Sequence, residues 1–157
     1  MVESRVVKVI KNAMDKESTD AYLILNPYNI KYVAGIPLHG TPPIAGLIYT
    51  KDEELIGITS PLEENRAKDL FDGDLYVFTR SKDMPWEYAE SREAFIKKIL
   101  EKIRAKKVIS DSKIRLEGFD IKKDDSLYNS RMIKTRKELK LIQKAVWIAE
   151  RALYDVR

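Results

Sequence analysis

Few residues in this sequence can do chemistry near neutral pH. His39 is the only histidine, and there is no cysteine. The lack of thiols excludes a disulfide framework, a thiolate zinc site and a cysteine nucleophile together. His39 stands among Pro37, Gly40, Pro42 and Pro43, so a loop must carry it. A lone imidazole needs carboxylates beside it to hold a metal or relay a proton. Asp72 and Asp74 bracket Gly73, and Asp124 adjoins Asp125. Neither pair has a histidine close in sequence, and both read as solvated turns, where paired charges ordinarily sit. No catalytic or metal-ligating set is therefore assigned, and His39 alone remains a candidate.

The elements that would position such residues must come from a chain of 157 residues, enough for one domain or for one domain plus a fragment of the next. Hydrophobic residues make up 44%, sufficient for a real core, and the 34% that are charged can cover it. A net charge of +4 raises the question of nucleic acid. However, the cations are dispersed among 25 acidic residues. Their densest run, residues 97–107, falls on the polar face and C-terminal exit of an expected helix, where it complements the dipole. The eight tyrosines and two tryptophans are scattered rather than interleaved with a basic patch, so no nucleic-acid partner is expected. Glu3 and Arg5 open the chain without the apolar run of a signal peptide. The longest apolar runs, such as residues 21–25, are far too short for a bilayer. A cytoplasmic protein with no membrane partner is the expectation.

Periodicity supplies the elements. Val6, Val7, Ile10 and Met14 recur at helical spacing over residues 4–14. Residues 21–25 suit a buried strand. Asn26 and Pro27 then open a short helix whose inner face is Ile30, Val33 and Ala34, with Gly35 ending it. Residues 36–45 form the loop that holds His39. Two β-prone runs, 46–50 and 55–59, flank a polar turn at Lys51-Asp-Glu-Glu54. Ser60-Pro61-Leu62-Glu63 reads as a capping box that starts a helix through Ala67 and Leu70. Residues 75–79 and 107–110 are further strands. Between them Phe95, Ile96, Ile99, Leu100 and Ile103 repeat at three and four. Residues 114–119 are expected to be another extended piece. Helices alternate with strands throughout, which argues for an α/β domain with helices on a mixed sheet.

The last segment differs. Thr135-Arg-Lys-Glu138 is a second capping box, opening a helix whose stripe includes Leu139, Ile142, Ala149, Leu153 and Val156. Such a stripe stabilises a helix mainly by packing on a partner. Ending at Arg157, just as that helix would end, points to truncation.

Two stretches carry a family resemblance. Residues 20–35, Asp-Ala-Tyr-Leu-Ile-Leu-Asn-Pro-Tyr-Asn-Ile-Lys-Tyr-Val-Ala-Gly, resemble the first strand and helix of creatinase/prolidase N-terminal domains. Asn-Ile-x-Tyr-Leu-x-Gly-Phe is typical there, and Val33 and Ile36 are conservative departures from it. Residues 131–150, with Arg131, Lys134, Glu138, Ala145 and Ala149, resemble the phrase that ends this domain and opens the first helix of a catalytic "pita-bread" domain.

The resemblance implies an α/β fold of creatinase/prolidase N-terminal type, a mixed β-sheet flanked by helices and followed by a C-terminal helix. Residues 1–129 would be that domain, and residues 130–157 the linker and first helix of an absent pita-bread domain. The parent would be an Xaa-Pro peptidase, a prolidase or an aminopeptidase P. It would work as a homodimer on peptides with proline at the second position. Two divalent ions, manganese, cobalt or zinc, would supply its chemistry from two Asp, one His and two Glu of the pita-bread domain. None of these ligands maps onto this chain, because His39, Asp124 and Asp125 all precede the second phrase. The expected function is a non-catalytic domain that shapes substrate access and oligomerisation, its partner being its own pita-bread domain. The alternative is a protein-binding module of a catalytically inactive relative. His39 is either an idle surface residue or, since loops of this domain help wall the active site in related dimers, a contact for a substrate carboxylate. In the full-length enzyme, His39→Ala is expected to raise KM for an Xaa-Pro substrate. Steady-state kinetics with both constants unchanged would leave His39 an idle loop residue.

Overall fold

A computed structural model describes residues 4–36 and 42–156; His39 lies outside them. The first helix, α1 (Ser4–Glu17), buries Val6, Ile10, Ala13 and Met14 along one stripe. It leads into β1 (Ala21–Ile24), in which every residue is buried. Complete burial of a strand means both faces are covered. Tyr22 and Ile24 point into one hydrophobic cluster with Val6, Ile10, Ile30 and Val33. Ala21 and Leu23 point into a second, with Phe95, Ile96, Ile99 and Leu100. The period-two alternation of strand side chains therefore divides the core into two layers.

Seven strands form the sheet, ordered in space as residues 87–88, 74–79, 55–59, 46–50, β1, 107–110 and 120–123. After β1 come α2 (Pro27–Ala34), β2 (Gly46–Thr50) and β3 (Leu55–Thr59). β2 runs antiparallel to β1 and to β3, the latter pair forming the expected hairpin. Then follow α3 (Glu64–Leu70), β4 (Asp74–Thr79), β5 (Glu87–Tyr88), α4 (Arg92–Lys102) and β6 (Lys107–Ser110). Parallel pairings join β4 to β3, β5 to β4 and β6 to β1. The sheet is thus mixed, with α4 on one face and α1, α2 and α5 (Ser126–Met132) on the other. The last elements are β7 (Asp120–Lys123), parallel to β6, then α5 and α6 (Arg136–Asp155).

Local signals explain most boundaries. The Asn26 side chain accepts from the Tyr28 N–H, and Gly35 closes α2 in the left-handed region, at φ 71°, donating to the Lys31 carbonyl. Two expectations need correction. Ser60 makes no side-chain cap, and Pro61–Glu63 is a single 3-10 turn before α3. The Glu63 N–H bonds the Ser60 carbonyl at 3.1 Å, so the amide that a capping box would offer the Ser60 hydroxyl is already engaged. Residues 114–119 are not a strand. Phe119 N–H closes a turn on the Leu116 carbonyl, and Gly118 turns the chain at φ 88°, so pairing with β6 begins only at Asp120. β5, β7 and α5 are elements that periodicity did not indicate. Among the described residues, no helix is long and apolar enough to cross a membrane.

The hairpin and β4 close tightly over one ring. A Cβ on Gly57 would lie 2.7 Å from the Phe71 ring, and one on Gly73 would lie 2.5 Å from the Leu55 carbonyl oxygen. A side chain can yield more readily than backbone. Gly73→Ala is therefore expected to cost about 2–3 kcal/mol and Gly57→Ala about 1–2 kcal/mol, as overpacking does, read by urea denaturation. Equal stability of both variants to the parent would show that neither close approach is real.

Candidate functional site

The parallel strands β1 and β6 end side by side, and backbone N–H groups that emerge there need acceptors. Asp111, the residue after β6, supplies them. Its carboxylate accepts from the Leu25 N–H at 2.9 Å and from the Asn26 N–H at 3.1 Å. It also takes the Asn29 side-chain amide at 2.9 Å and the Ser112 hydroxyl at 2.9 Å. With its lone pairs so occupied, Asp111 is an anchor rather than a base.

From Asp111 the network runs outward. The Asn29 carbonyl oxygen accepts from Arg131 Nη1 at 2.6 Å, and the Arg131 guanidinium carbon lies 5.6 Å from the centre of the Tyr28 ring. Tyr32 and Ser130 hydroxyls stand 3.0 Å apart. Arg5 of α1 donates to the carbonyls of Ser130 at 3.1 Å and Ile133 at 2.8 Å. Two elements remote in sequence, α1 and α2, therefore grip the segment that leads into α6. Beneath them the Tyr22 hydroxyl donates to Asp124 at 2.7 Å. Burial, and then the Asp124 carboxylate, push the Tyr22 phenol up, so it stays protonated.

Two open depressions flank this network. One, of about 560 Å³, is lined by residues that include Tyr28, Lys31, Tyr32, Arg131 and Lys134. The other, of about 510 Å³, includes Asn26, Asp111, Asp124 and Asp125, and Tyr128 borders both. The second is acidic, but its carboxylates do not suit the pair of divalent ions implied by the family resemblance. Asp124 is taken by Tyr22 and Ser126, and Asp125 by Lys123 at 2.7 Å. Among the described residues, no three His, Cys, Asp or Glu side chains converge as metal ligands.

At the root of α6 both halves of the second capping box form. Glu138 N–H donates to the Thr135 hydroxyl at 3.2 Å, and Thr135 N–H to the Glu138 carboxylate at 2.7 Å. None of the 20 residues of α6 is buried, and Trp147 is 58% and Leu153 71% exposed. Sequence reasoning identified Asn29, Tyr32 and Arg131 as parts of recurring phrases but did not join them. The available signal was an Asp directly after a buried strand, at Asp111.

Comparison with known proteins now adds to this geometry. Residues 7–111 match the family model described as the Creatinase/Prolidase N-terminal domain. The chain is 30% identical over 156 residues to an Xaa-Pro dipeptidase of Pyrococcus horikoshii, covering 94% of this chain and 40% of that protein. The crystal structure of the prolidase from Pyrococcus horikoshii OT3 is similar with a TM-score of 0.67 and 27% identity, over 96% of this chain and 42% of that one. An X-Pro aminopeptidase from Thermotoga maritima shares the fold with a TM-score of 0.71 at 19% identity, again over 96% of this chain and 42% of the other. The chain thus spans about two-fifths of the length of these relatives.

The capping box sets a pH response. The Thr135 N–H, and then its hydroxyl, hold the Glu138 carboxyl below its usual value of 4.5. Because the folded value is the lower one, the cap's contribution is complete above the unfolded value and is lost as pH falls through the folded one. Helicity by circular dichroism is expected to fall below about pH 4.5 more in the parent than in Glu138→Gln, whose uncharged amide can still serve the box. Superimposable acid limbs would show that Glu138 does not hold α6 in solution.

Proposed function

The chain belongs to the creatinase/prolidase N-terminal domain family, and on that premise we propose that it is the non-catalytic domain of a metal-dependent Xaa-Pro peptidase. The observation that carries this reading is α6. It is firmly capped, and it presents Leu139, Ile142, Val146 and Leu153 at 47% to 71% exposure. An amphipathic helix of this length gains stability by burying such a stripe. The longer relatives, of which this chain covers two-fifths, supply a candidate cover in the part of the protein that follows the helix. Residues 1–129 would then be the α/β domain, and residues 130–157 the linker and first helix of the pita-bread domain, with α5 running continuously across the join.

In this reading the α/β domain shapes access to an active site built elsewhere and supports a homodimer. The substrate is a cytoplasmic peptide with proline at the second position. Two divalent ions, manganese, cobalt or zinc, would be held by the catalytic domain. Bound there, such ions would supply Lewis-acid activation of water and of the scissile carbonyl, and in this reading no residue of this chain takes part in that chemistry. His39 belongs to the proposal only as a contact to the substrate carboxylate.

The test is hydrolysis of an Xaa-Pro dipeptide and of a longer Xaa-Pro peptide by the protein that continues past Arg157. Cleavage abolished by chelation and restored by manganese, cobalt or zinc is the expected result. The preferred peptide length separates a prolidase from an aminopeptidase P. A metal-loaded protein that cleaves neither would favour the protein-binding module instead.

A further inference from the structure

Two helices present the same arrangement of side chains to one groove. α2 offers Tyr28, Lys31 and Tyr32, and α5 offers Tyr128, Arg131 and Met132, each at spacings of three and four that place them on a single helix face. Lys134 completes the rim of this depression of about 560 Å³. Its one acid, Glu138, is already engaged by the Thr135 N–H at 2.7 Å.

With Lys31, Arg131 and Lys134 set against this one carboxylate, the groove has an excess of positive charge. Neither Lys31 nor Arg131 forms a salt bridge among the described residues, while Lys134 lies within electrostatic reach of Glu138. Arg131 is also fixed in place. Asn29 accepts from one Nη at 2.6 Å, the Tyr28 ring lies beside the guanidinium, and Asn29 is itself tied to the saturated Asp111. A guanidinium held this way has lost most of its freedom before a ligand arrives, so an anion meets a preorganised fork. Beside that charge lie aromatic faces and the Met132 side chain, with Tyr28 60%, Tyr128 55% and Met132 59% exposed. They call for an apolar group attached directly to the anion.

We propose that this groove captures the free C-terminal carboxylate of a peptide whose last side chain is apolar. Arg131 and Lys31 take the carboxylate, and the rings of Tyr28 and Tyr128 cover the side chain. Inorganic phosphate would satisfy the cations but leave the rings bare. The inference extends the peptide-handling reading above. Its test needs neither metal nor catalytic domain, so its failure leaves the peptidase reading standing, and failure of the peptidase assay leaves this site untouched.

The experiment is a titration of this chain, followed by NMR, with N-acetyl-Ala-Phe and with its C-terminal amide. The free acid is expected to shift resonances of Tyr28, Lys31, Tyr128 and Arg131 and to bind at least about ten-fold more tightly than the amide, since a charge-assisted hydrogen bond is worth roughly a factor of ten or more. Lys31→Gln is expected to weaken the acid about three-fold or more while leaving the amide unchanged. The Lys31 side chain is exposed and makes no hydrogen bond or salt bridge among the described residues, so this variant keeps the fold even if Arg131→Gln loosens the α5 segment. Equal affinity for acid and amide, shifts centred elsewhere, or an unaltered Lys31→Gln would overturn the proposal. So would displacement of the peptide by an equal concentration of inorganic phosphate, which would mark a general anion site.

Discussion

One carboxylate closes the open end of two parallel strands. β1 and β6 lie in register, Leu23 opposite Ser110, and both chains must leave the sheet at the same level. Asp111 receives the amides that β1 releases as it turns into α2. Hydrogen bonds to a charged group are each worth about 1.5–3 kcal/mol, and a buried donor left alone costs a similar amount. The Asp111 cluster therefore fixes where α2 starts, where Asn29 points and, through Asn29, where Arg131 lies. The α2–α5 groove and the root of α6 both depend on this arrangement.

The opposite end of β1 uses the same device. Asp20 accepts from the N–H groups of Lys106 at 2.8 Å and Lys107 at 3.1 Å, and these bonds hold its carboxyl below the usual range. β1 is thus fastened to β6 at both ends by an acid on one strand and amides of the other. Between the two acids lies a fully buried segment whose side chains alternate between the two core layers. A strand so constrained can carry helices of different size on its two faces without sliding, because a slip of one residue would exchange the layers.

Features that depend on near neighbours were legible in the sequence. Asn26, Pro27 and Gly35 bound α2 as expected, and Thr135 with Glu138 caps α6. Ser60 followed the same local rule and failed, because Pro61 begins a tight turn in which the Ser60 carbonyl takes the amide first. Residues 114–119 have strand-like composition, yet Gly118 turns the chain before pairing begins. α5 was missed because its seven residues bury only Leu127 and Ser130, too few to reveal a period. Asp111 and Arg131 could not be joined beforehand, since their link passes through Asn29, more than 80 positions away from either along the chain.

The two margins of the sheet have a consequence for the company the molecule keeps with copies of itself. β5 contributes only two residues at one margin. β7 at the other reads Asp120-Ile-Lys-Lys123, with Lys122 bridging to Glu17 and Lys123 to Asp125. A short strand offers too few free peptide groups to template another, and charge on an outer strand penalises an incoming one. Growth by strand addition, the route to fibres, is discouraged at both margins. Association by added strands would have to begin with the sheet coming apart.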